Sequence, residues 1–277
     1  MNAQRVAAST LLVLAVGALL GSPIPLSGGT WYLNAGQTSD VDWDVVSFWS
    51  AAPDGSGGNP PSIAKDDIFD SNGKILRTPA SESYFGGASL VLNGSRLLLV
   101  HDADISGTLT SAEVGSAVAL ASLKSRTLAV GILLPVGKGI GFWTDKAVAT
   151  LTVHVETLTG NAPVIFGAPG KPTTLVFTAT EASGFTGDLH ITGDGTRVSF
   201  GNALNSAGGL VLDAGASITL DQNLSFNAVS IDGVDLPAGI HSFARLNATH
   251  DAFFNEDGTG SITVKGKRPV QPASSSQ

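Results

Sequence analysis

The sequence predicts an all-β chain built from stacked β-coils, and three observations support that prediction. Charged residues make up 14% of the 277 residues, well below the roughly 25% of ordinary globular chains. Glycine occurs 34 times, and short apolar runs alternate with Gly, Asn, Asp and Ser, a pattern typical of short strands joined by tight turns. Strand-like runs also recur at regular intervals in the second half of the chain.

The first segment, residues 1–29, has the organisation of a signal peptide. Arg5 supplies a positive charge, and an apolar run follows that is densest over residues 11–20. The small and turn-forming residues Gly21, Ser22, Pro23 and Pro25 come next. The apolar run is shorter than the about 20 residues that a membrane-spanning helix needs; an uncleaved anchor is the alternative. We therefore expect an exported mature chain without a transmembrane span.

Residues 30–85 are predicted to form a Trp-containing cap at the N-terminal end of the stack. Three of the four tryptophans, Trp31, Trp43 and Trp49, lie in this segment. The Pro-, Gly- and Ser-rich stretch 51–62 is predicted to be a loop. A stack of coils needs a cap because an open end exposes unpaired strand edges.

The next segment, residues 86–264, is predicted to be a β-solenoid with a closing segment. The run at 189–192 recurs at 210–213 and again at 228–231, and the run at 198–200 recurs at 218–220. Two short strands in each period fit one coil of a β-helix, whose apolar side chains pack on the coil before it. A β-sandwich, which also has regularly spaced turns, is the alternative.

Two further segments complete the chain. Residues 110–123 fit either a helix or a strand, because Thr110 and Glu113 have capping-box spacing and the alanines favour a helix. The sequence leaves that choice open. Residues 265–277 are polar and rich in Pro and Ser, and they are predicted to be a disordered tail.

A family resemblance rests on three segments, which read FTGDLHI at 185–191, GTRVSF at 195–200 and GLVLDAG at 209–215. Their sequence of an aromatic residue, glycines and spaced apolar positions resembles the autotransporter-associated β-strand repeat. Residues 231–264 are similar to the closing segment of exported proteins that carry such repeats.

The resemblance implies a right-handed β-helix that is exported by a Gram-negative bacterium. It also implies a surface, passenger-like or matrix role and no catalytic residues. No series of alternating strands of about ten residues, the pattern of a membrane barrel, follows Val264. We therefore expect the repeat region without a translocator barrel.

Composition narrows the classes of partner. The net charge of −8 provides no basic surface for nucleic acid, and the absence of cysteine excludes disulfides and thiolate metal sites. The expected partners are a second copy of the chain, through self-association, or a surface polysaccharide. The expected location is secreted or on the outer cell surface, with the periplasm as the alternative.

Three aspartates form the candidate metal site of the sequence. Asp194, Asp213 and Asp232 are evenly spaced along the chain and lie at strand exits, each followed closely by a glycine. In a stack of coils such turns are predicted to lie one above another. Carboxylate oxygens are the ligands that calcium prefers, so a column of calcium ligands is one interpretation, and solvated turn residues are the other. No other cofactor is predicted.

The function predicted from these features is a non-catalytic exported structural or cell-surface protein, adhesive or weakly glycan-binding. The alternative is a carbohydrate-active β-helix enzyme, either a polysaccharide lyase or a glycoside hydrolase. Such an enzyme needs carboxylates together with Arg or Lys on one face, so a groove with two carboxylates beside a cation would favour it. A calcium-stabilised adhesin is the third hypothesis.

Overall fold

The computed structural model of the protein describes residues 28–34, 36, 40–80, 83–135, 137–146, 148–255 and 258–266. The predicted signal peptide, apart from residues 28–29, lies outside the described residues. The predicted tail lies outside them too, apart from residues 265–266.

The regular secondary structure of the described chain is nearly all β-strand, with one α-helix and two short 3₁₀ turns. The strands are, in chain order, β1 (Thr30–Leu33), β2 (Val41–Asp42), β3 (Trp49–Ser50), β4 (Ile68–Asp70), β5 (Leu76–Arg77), β6 (Ser83–Phe85), β7 (Ser89–Asn93), β8 (Arg96–Leu99), β9 (Ala103–Glu113), β10 (Ala117–Leu120), β11 (Arg126–Leu134), β12 (Ile140–Thr144), β13 (Thr150–Gly160), β14 (Val164–Phe166), β15 (Thr174–Glu181), β16 (Leu189–Ile191), β17 (Arg197–Phe200), β18 (Leu204–Asn205), β19 (Gly209–Leu212), β20 (Ser217–Thr219), β21 (Asn223–Phe226), β22 (Ala228–Ile231), β23 (Val234–Asp235), β24 (Gly239–Ser242) and β25 (Ser261–Val264). The helix is α1 (Phe243–His250), and the 3₁₀ turns are Val46–Phe48 and Asp251–Phe253.

These strands form three sheets, in which most neighbouring strands come from successive coils. The first sheet has 11 strands, in the order β20-β17-β15-β13-β11-β9-β7-β4-β1-β3 with β6 beside β9. The second has ten, in the order β2-β5-β8-β10-β12-β14-β16-β19-β22-β23, and the third has four, β18-β21-β25-β24. Pairing inside the stack is parallel, as at Leu189 with Leu210 and at Val198 with Ile218. The chain is therefore a β-solenoid, and the β-sandwich alternative is wrong.

The core consists of columns of apolar side chains that run along the solenoid. Alternation along each strand points one residue inward and the next outward, and parallel register stacks equivalent inward residues. One such column in the second sheet contains Leu97, Val118, Phe142, Phe166, Ile191, Leu212 and Ile231. All of these side chains are buried. Each coil therefore covers the apolar face of the next.

The long strands β9, β11 and β13 turn a corner of the solenoid. Their pairing shifts register after Val130, where Gly131 pairs with Thr108 on one side and Ile132 pairs with Leu158 on the other. A bulge bends a strand in this way. The first sheet therefore folds into two faces, and one of them carries the grooves described below.

The N-terminal residues belong to the same sheets as the coils that follow. β1 and β4 extend the first sheet, while β2 and β5 extend the second, so neither sheet breaks at residue 85. Trp43 and Trp49 are fully buried, and the Trp49 indole N–H donates to the carbonyl of Trp43 at 2.9 Å. Trp43 packs on Phe85 at a ring distance of 5.4 Å.

Antiparallel pairs lie at the two ends of the stack. β3 runs antiparallel to β1 at the N-terminal end, and β23 runs antiparallel to β22 at the other. The Asn59 amide also donates to the backbone carbonyls of Ser47 and Trp49. β3 thus covers the N-terminal edge of the first sheet and β23 the C-terminal edge of the second, whereas β20 and β2 are the edge strands at the opposite ends of these sheets.

Residues 110–123 contain strand, and the helix interpretation is wrong. They hold the end of β9 and all of β10, joined by a turn at Gly115, whose φ is +90°. Thr110 pairs with Val91 in the neighbouring coil instead of capping a helix. Glu113 forms an ion pair with Lys138, whose Nζ lies 2.6 Å from Glu113 Oε2. Contacts between coils thus outweigh the local helix preference of the alanines.

Candidate functional site

A polar groove of about 750 Å³ lies near the C-terminal end of the solenoid. Its floor is the exterior of β15, β17 and β20, and one wall is the segment 251–255. We call it the terminal groove. The residues that could contact a ligand there are Asp194, Arg197, Ser199, Asp251 and Asn255.

Strand alternation places polar side chains on the groove floor. In β17, Arg197 and Ser199 point outward, while Val198 and Phe200 are buried in the core. Parallel register stacks Arg197 between Thr174 of the preceding coil and Ser217 of the following coil. The floor therefore presents a guanidinium among short hydroxyl side chains.

The wall is fixed by contacts that join distant parts of the sequence. Phe254 is buried and forms a parallel bridge with Ile218. The Asn255 side chain accepts from Ser217 Oγ at 3.2 Å and donates to Thr219 Oγ1 at 3.0 Å. These bonds hold the amide of Asn255 against the floor.

Several polar groups of the terminal groove have unused hydrogen-bonding capacity. Within the described part of the chain, neither Arg197 nor Asp194 forms a side-chain hydrogen bond or an ion pair. Among the residues that the structure describes, the Asp251 carboxylate accepts only the backbone N–H of Ala252, at 2.9 Å. A guanidinium offers five donors and a carboxylate about four acceptor positions. The groove can therefore both donate to and accept from a polar ligand.

A second, smaller groove of about 400 Å³ lies on the same sheet. We call it the central groove. Its floor follows one exterior column, in which Asp104, Ala129, His154 and Thr178 are paired across four successive strands. The Nδ1 atom of His154 lies 2.7 Å from Thr178 Oγ1, and Glu156 follows His154 on the same face of β13. Ala129 leaves a gap between Asp104 and His154.

The three aspartates predicted to stack do not form one column. Ile191 pairs with Leu212, so the residue aligned with Asp213 is Thr192, and Asp194 lies two positions further along. The Asp194 carboxylate lies beside Gly215 of the next coil. Asp213 and Asp232 do occupy equivalent positions, since Leu212 pairs with Ile231. The offset arises because the coil from Leu189 to Leu210 is longer than the coil that follows it.

Asp213 and Asp232 have separate structural roles. Asp213 Oδ2 lies 2.7 Å from Nε2 of His190. Asp232 has a φ of +48° and, with Gly233, makes the tight turn between β22 and the antiparallel β23, a turn for which Asp-Gly is favoured. Among the described residues, no group of three His, Asp or Glu side chains could hold a metal ion. Calcium binding by these aspartates stays a prediction.

The sequence indicated Asp194, but it did not indicate Asp251 or the roles of Asn255 and Arg197 in this groove. Asp251 and Asn255 follow α1 and are separated from β20 along the chain by β21, β22, β23 and β24. No local pattern indicates that contact, because it depends on the chain returning to β20 after these strands and α1. Arg197 could have been identified as an outward residue from the alternation in β17.

Comparisons with known proteins identify no relative of this chain. No family model, curated protein or solved structure matches the chain. Among the described residues, no helix has the length and apolar character needed to cross a membrane.

Proposed function

We propose that this protein is an exported, non-catalytic structural or cell-surface protein that binds a glycan in the terminal groove. The observation that supports this function is the set of unpaired polar groups in that groove. Arg197 and Asp194 lack partners in the described structure and line a space of about 750 Å³ together with Asn255 and several hydroxyls. Ligand sites commonly have volumes in the range of about 300–1,000 Å³.

A sugar fits this lining better than an apolar ligand does. Vicinal hydroxyls can accept from a guanidinium while they donate to a carboxylate, which is the combination that Arg197 and Asp194 offer. Both side chains are exposed, so water competes for the same bonds and each contributes only about 0.5–1.5 kcal/mol. We therefore expect weak binding, with Kd on the order of millimolar, for a single site.

Export and a surface location are supported by the sequence. Residues 1–29 have the organisation of a signal peptide. The repeat over 185–264 resembles the autotransporter-associated β-strand repeat of exported proteins. An antiparallel strand ends the first sheet at its N-terminal edge and the second sheet at its C-terminal edge, which disfavours addition of a second copy at those two edges. Together with the unpaired polar groups of the terminal groove, this favours a polysaccharide over a second copy.

The proposal is tested by screening the purified mature chain against immobilised polysaccharides and measuring affinity for those that bind. We expect Arg197→Ala and Asp194→Asn each to weaken binding about tenfold, equivalent to about 1.4 kcal/mol. Arg96→Ala is the matched control, because Arg96 lies on the exterior of β8 in the other large sheet. Equal affinity of the Arg197→Ala variant and the unmodified chain would overturn the proposal.

A carbohydrate-active enzyme is the second candidate, because two carboxylates and a cation line the same groove. Asp194, Asp251 and Arg197 are the residue types that a lyase or a hydrolase requires. The test is incubation of the protein with each polysaccharide that it binds. Hydrolysis releases new reducing ends, whereas a lyase produces an unsaturated sugar. Cleavage abolished by Asp251→Asn would establish the enzyme, and intact polysaccharide would exclude it for the ligands tested.

A further inference from the structure

The terminal and central grooves share one strand. β15 contributes Thr174 to the terminal groove and Thr178 and Thr180 to the central groove. Both grooves lie on the exterior of the first sheet, and their floors together cross β9, β11, β13, β15, β17 and β20. Neighbouring strands are about 4.8 Å apart, so these six strands span about 24 Å along the solenoid axis.

The surface between the two grooves carries short side chains. Val176 and Ser199 are paired on the exterior of β15 and β17, and both are partly buried. Gly201 comes directly after β17, where a larger side chain would meet the Thr178 methyl group. The surface between the grooves is therefore flat, and an extended polysaccharide chain can lie across it.

We infer that the ligand is a polysaccharide chain bound lengthwise across both grooves, and that it lacks carboxylates. This inference rests on the proposed glycan binding at the terminal groove and adds the central groove as a second contact region. Arg197 pairs with Thr174 and His154 pairs with Thr178, so the two side chains lie about 10 Å apart across the strands and about 13 Å apart along them. A linear chain longer than a disaccharide can therefore contact both.

The charge of the grooves selects against an acidic polymer. Asp194 and Asp251 line the terminal groove, and Asp104 and Glu156 line the central groove, against the single guanidinium of Arg197. All four carboxylates are exposed, and none has an ion-pair partner within the described structure. Polyuronate carboxylates would be repelled there, whereas neutral or amine-bearing sugars would not. The chain as a whole carries a net charge of −8, which also repels an acidic polymer.

The test compares short and long oligosaccharides of the same neutral or amine-bearing glycan, with galacturonan oligosaccharides as the acidic probe. Calorimetry on the full mature chain should show affinity rising about tenfold from disaccharide to a chain long enough to cross both grooves, equivalent to about 1.4 kcal/mol. Galacturonan should bind more weakly than the neutral chain of equal length, and galacturonan binding as tight as the neutral chain would overturn the charge argument.

Two variants separate this inference from the proposed function. Ala129→Phe fills the gap in the central groove, so it should remove the gain from chain length and leave disaccharide affinity unchanged. Val211→Phe is the matched control, because Val211 points outward from β19 in the second sheet. If long chains bind Ala129→Phe and the unmodified protein equally, lengthwise binding is wrong while the terminal groove stands. If Arg197→Ala leaves disaccharide affinity unchanged, the proposed function fails as well.

Discussion

The imidazole of His190 and the carboxylate of Asp213 join two successive coils of the solenoid, with 2.7 Å between Nε2 and Oδ2. His190 lies in β16, and Asp213 directly follows β19, the strand that pairs with β16. The carboxylate of Asp213 is therefore already satisfied by a protein partner. Asp194 is offset by two positions from the column that Asp213 and Asp232 share, and within that column the carboxylate of Asp213 is engaged by His190.

The first prediction is that calcium leaves the stability of the folded chain unchanged. Calcium takes six to eight oxygen ligands, and the described residues around Asp194, Asp213 and Asp232 do not supply a cluster of three carboxylates. Thermal unfolding of the mature chain with calcium and with a chelator should therefore give the same Tm. A rise of several degrees with calcium, lost in Asp213→Asn, would contradict this and support the adhesin hypothesis.

The second prediction concerns Phe166, which lies at the centre of the aromatic core. Its ring centroid is 5.0 Å from that of Phe177 and 6.3 Å from that of Phe142, and the side chain is fully buried. Phe166→Ala should lower the free energy of unfolding by about 3–5 kcal/mol, because it removes apolar contacts and leaves a cavity. Chemical denaturation followed by far-ultraviolet circular dichroism measures this loss.

The neighbouring residue provides the control for Phe166. Ile165 belongs to the same strand but points outward and is only partly buried. Ile165→Ala should therefore cost less than about 1 kcal/mol. Equal losses for the two variants would show that the alternation in β14 does not separate core from surface.

The fold was largely predictable because each coil repeats the same apolar positions. Leu189, Leu210 and Val229 are stacked in the second sheet, and their regular recurrence is visible in the sequence. Each coil must bury these side chains on its neighbour, so apolar residues recur at a regular spacing along the sequence. The right-handed coiling implied by the family resemblance stays a prediction.

The candidate site was much less predictable, for two physical reasons. Equal sequence spacing does not give equal register when coils differ in length, so Asp194 and Asp213 are offset although Asp194, Asp213 and Asp232 are evenly spaced. The terminal groove also depends on tertiary contacts, since Asn255 reaches Ser217 and Thr219 only after the chain has passed through β21 to β24 and α1. Neither effect leaves a local pattern in the chain.

The third prediction is a pH effect at Glu181. The Ser183 hydroxyl donates to the Glu181 carboxylate, and the Ser183 backbone N–H donates at 3.0 Å, so together they hold the pKa of Glu181 below its ordinary value. Because the folded-state pKa is lowered, this contact stabilises the protein above the unfolded-state pKa and the stabilisation is lost as pH falls through the folded-state pKa. Carboxyl NMR titration measures the shift directly.

Two variants of Ser183 test the cause of that shift. Ser183→Ala removes the hydroxyl, so the pKa of Glu181 should move upward while the backbone bond keeps part of the shift. Ser183→Thr retains the hydroxyl donor and should keep the pKa low. A pKa that is the same in the Ala and Thr variants would show that the hydroxyl is not the cause.

The last prediction concerns Gly208, where two successive coils approach closely. A Cβ atom at this position would lie 1.7 Å from the carbonyl oxygen of Gly187, which is backbone and cannot rotate away. Gly208→Ala should therefore force the coils apart and cost about 1–3 kcal/mol of folding free energy. Gly58→Ala is the control, because a Cβ at Gly58 meets no atom within 4 Å, and its effect should stay within about 0.5 kcal/mol. Denaturation midpoints measure both variants, and a Gly208→Ala chain as stable as Gly58→Ala would show that the coils separate at this point without a cost.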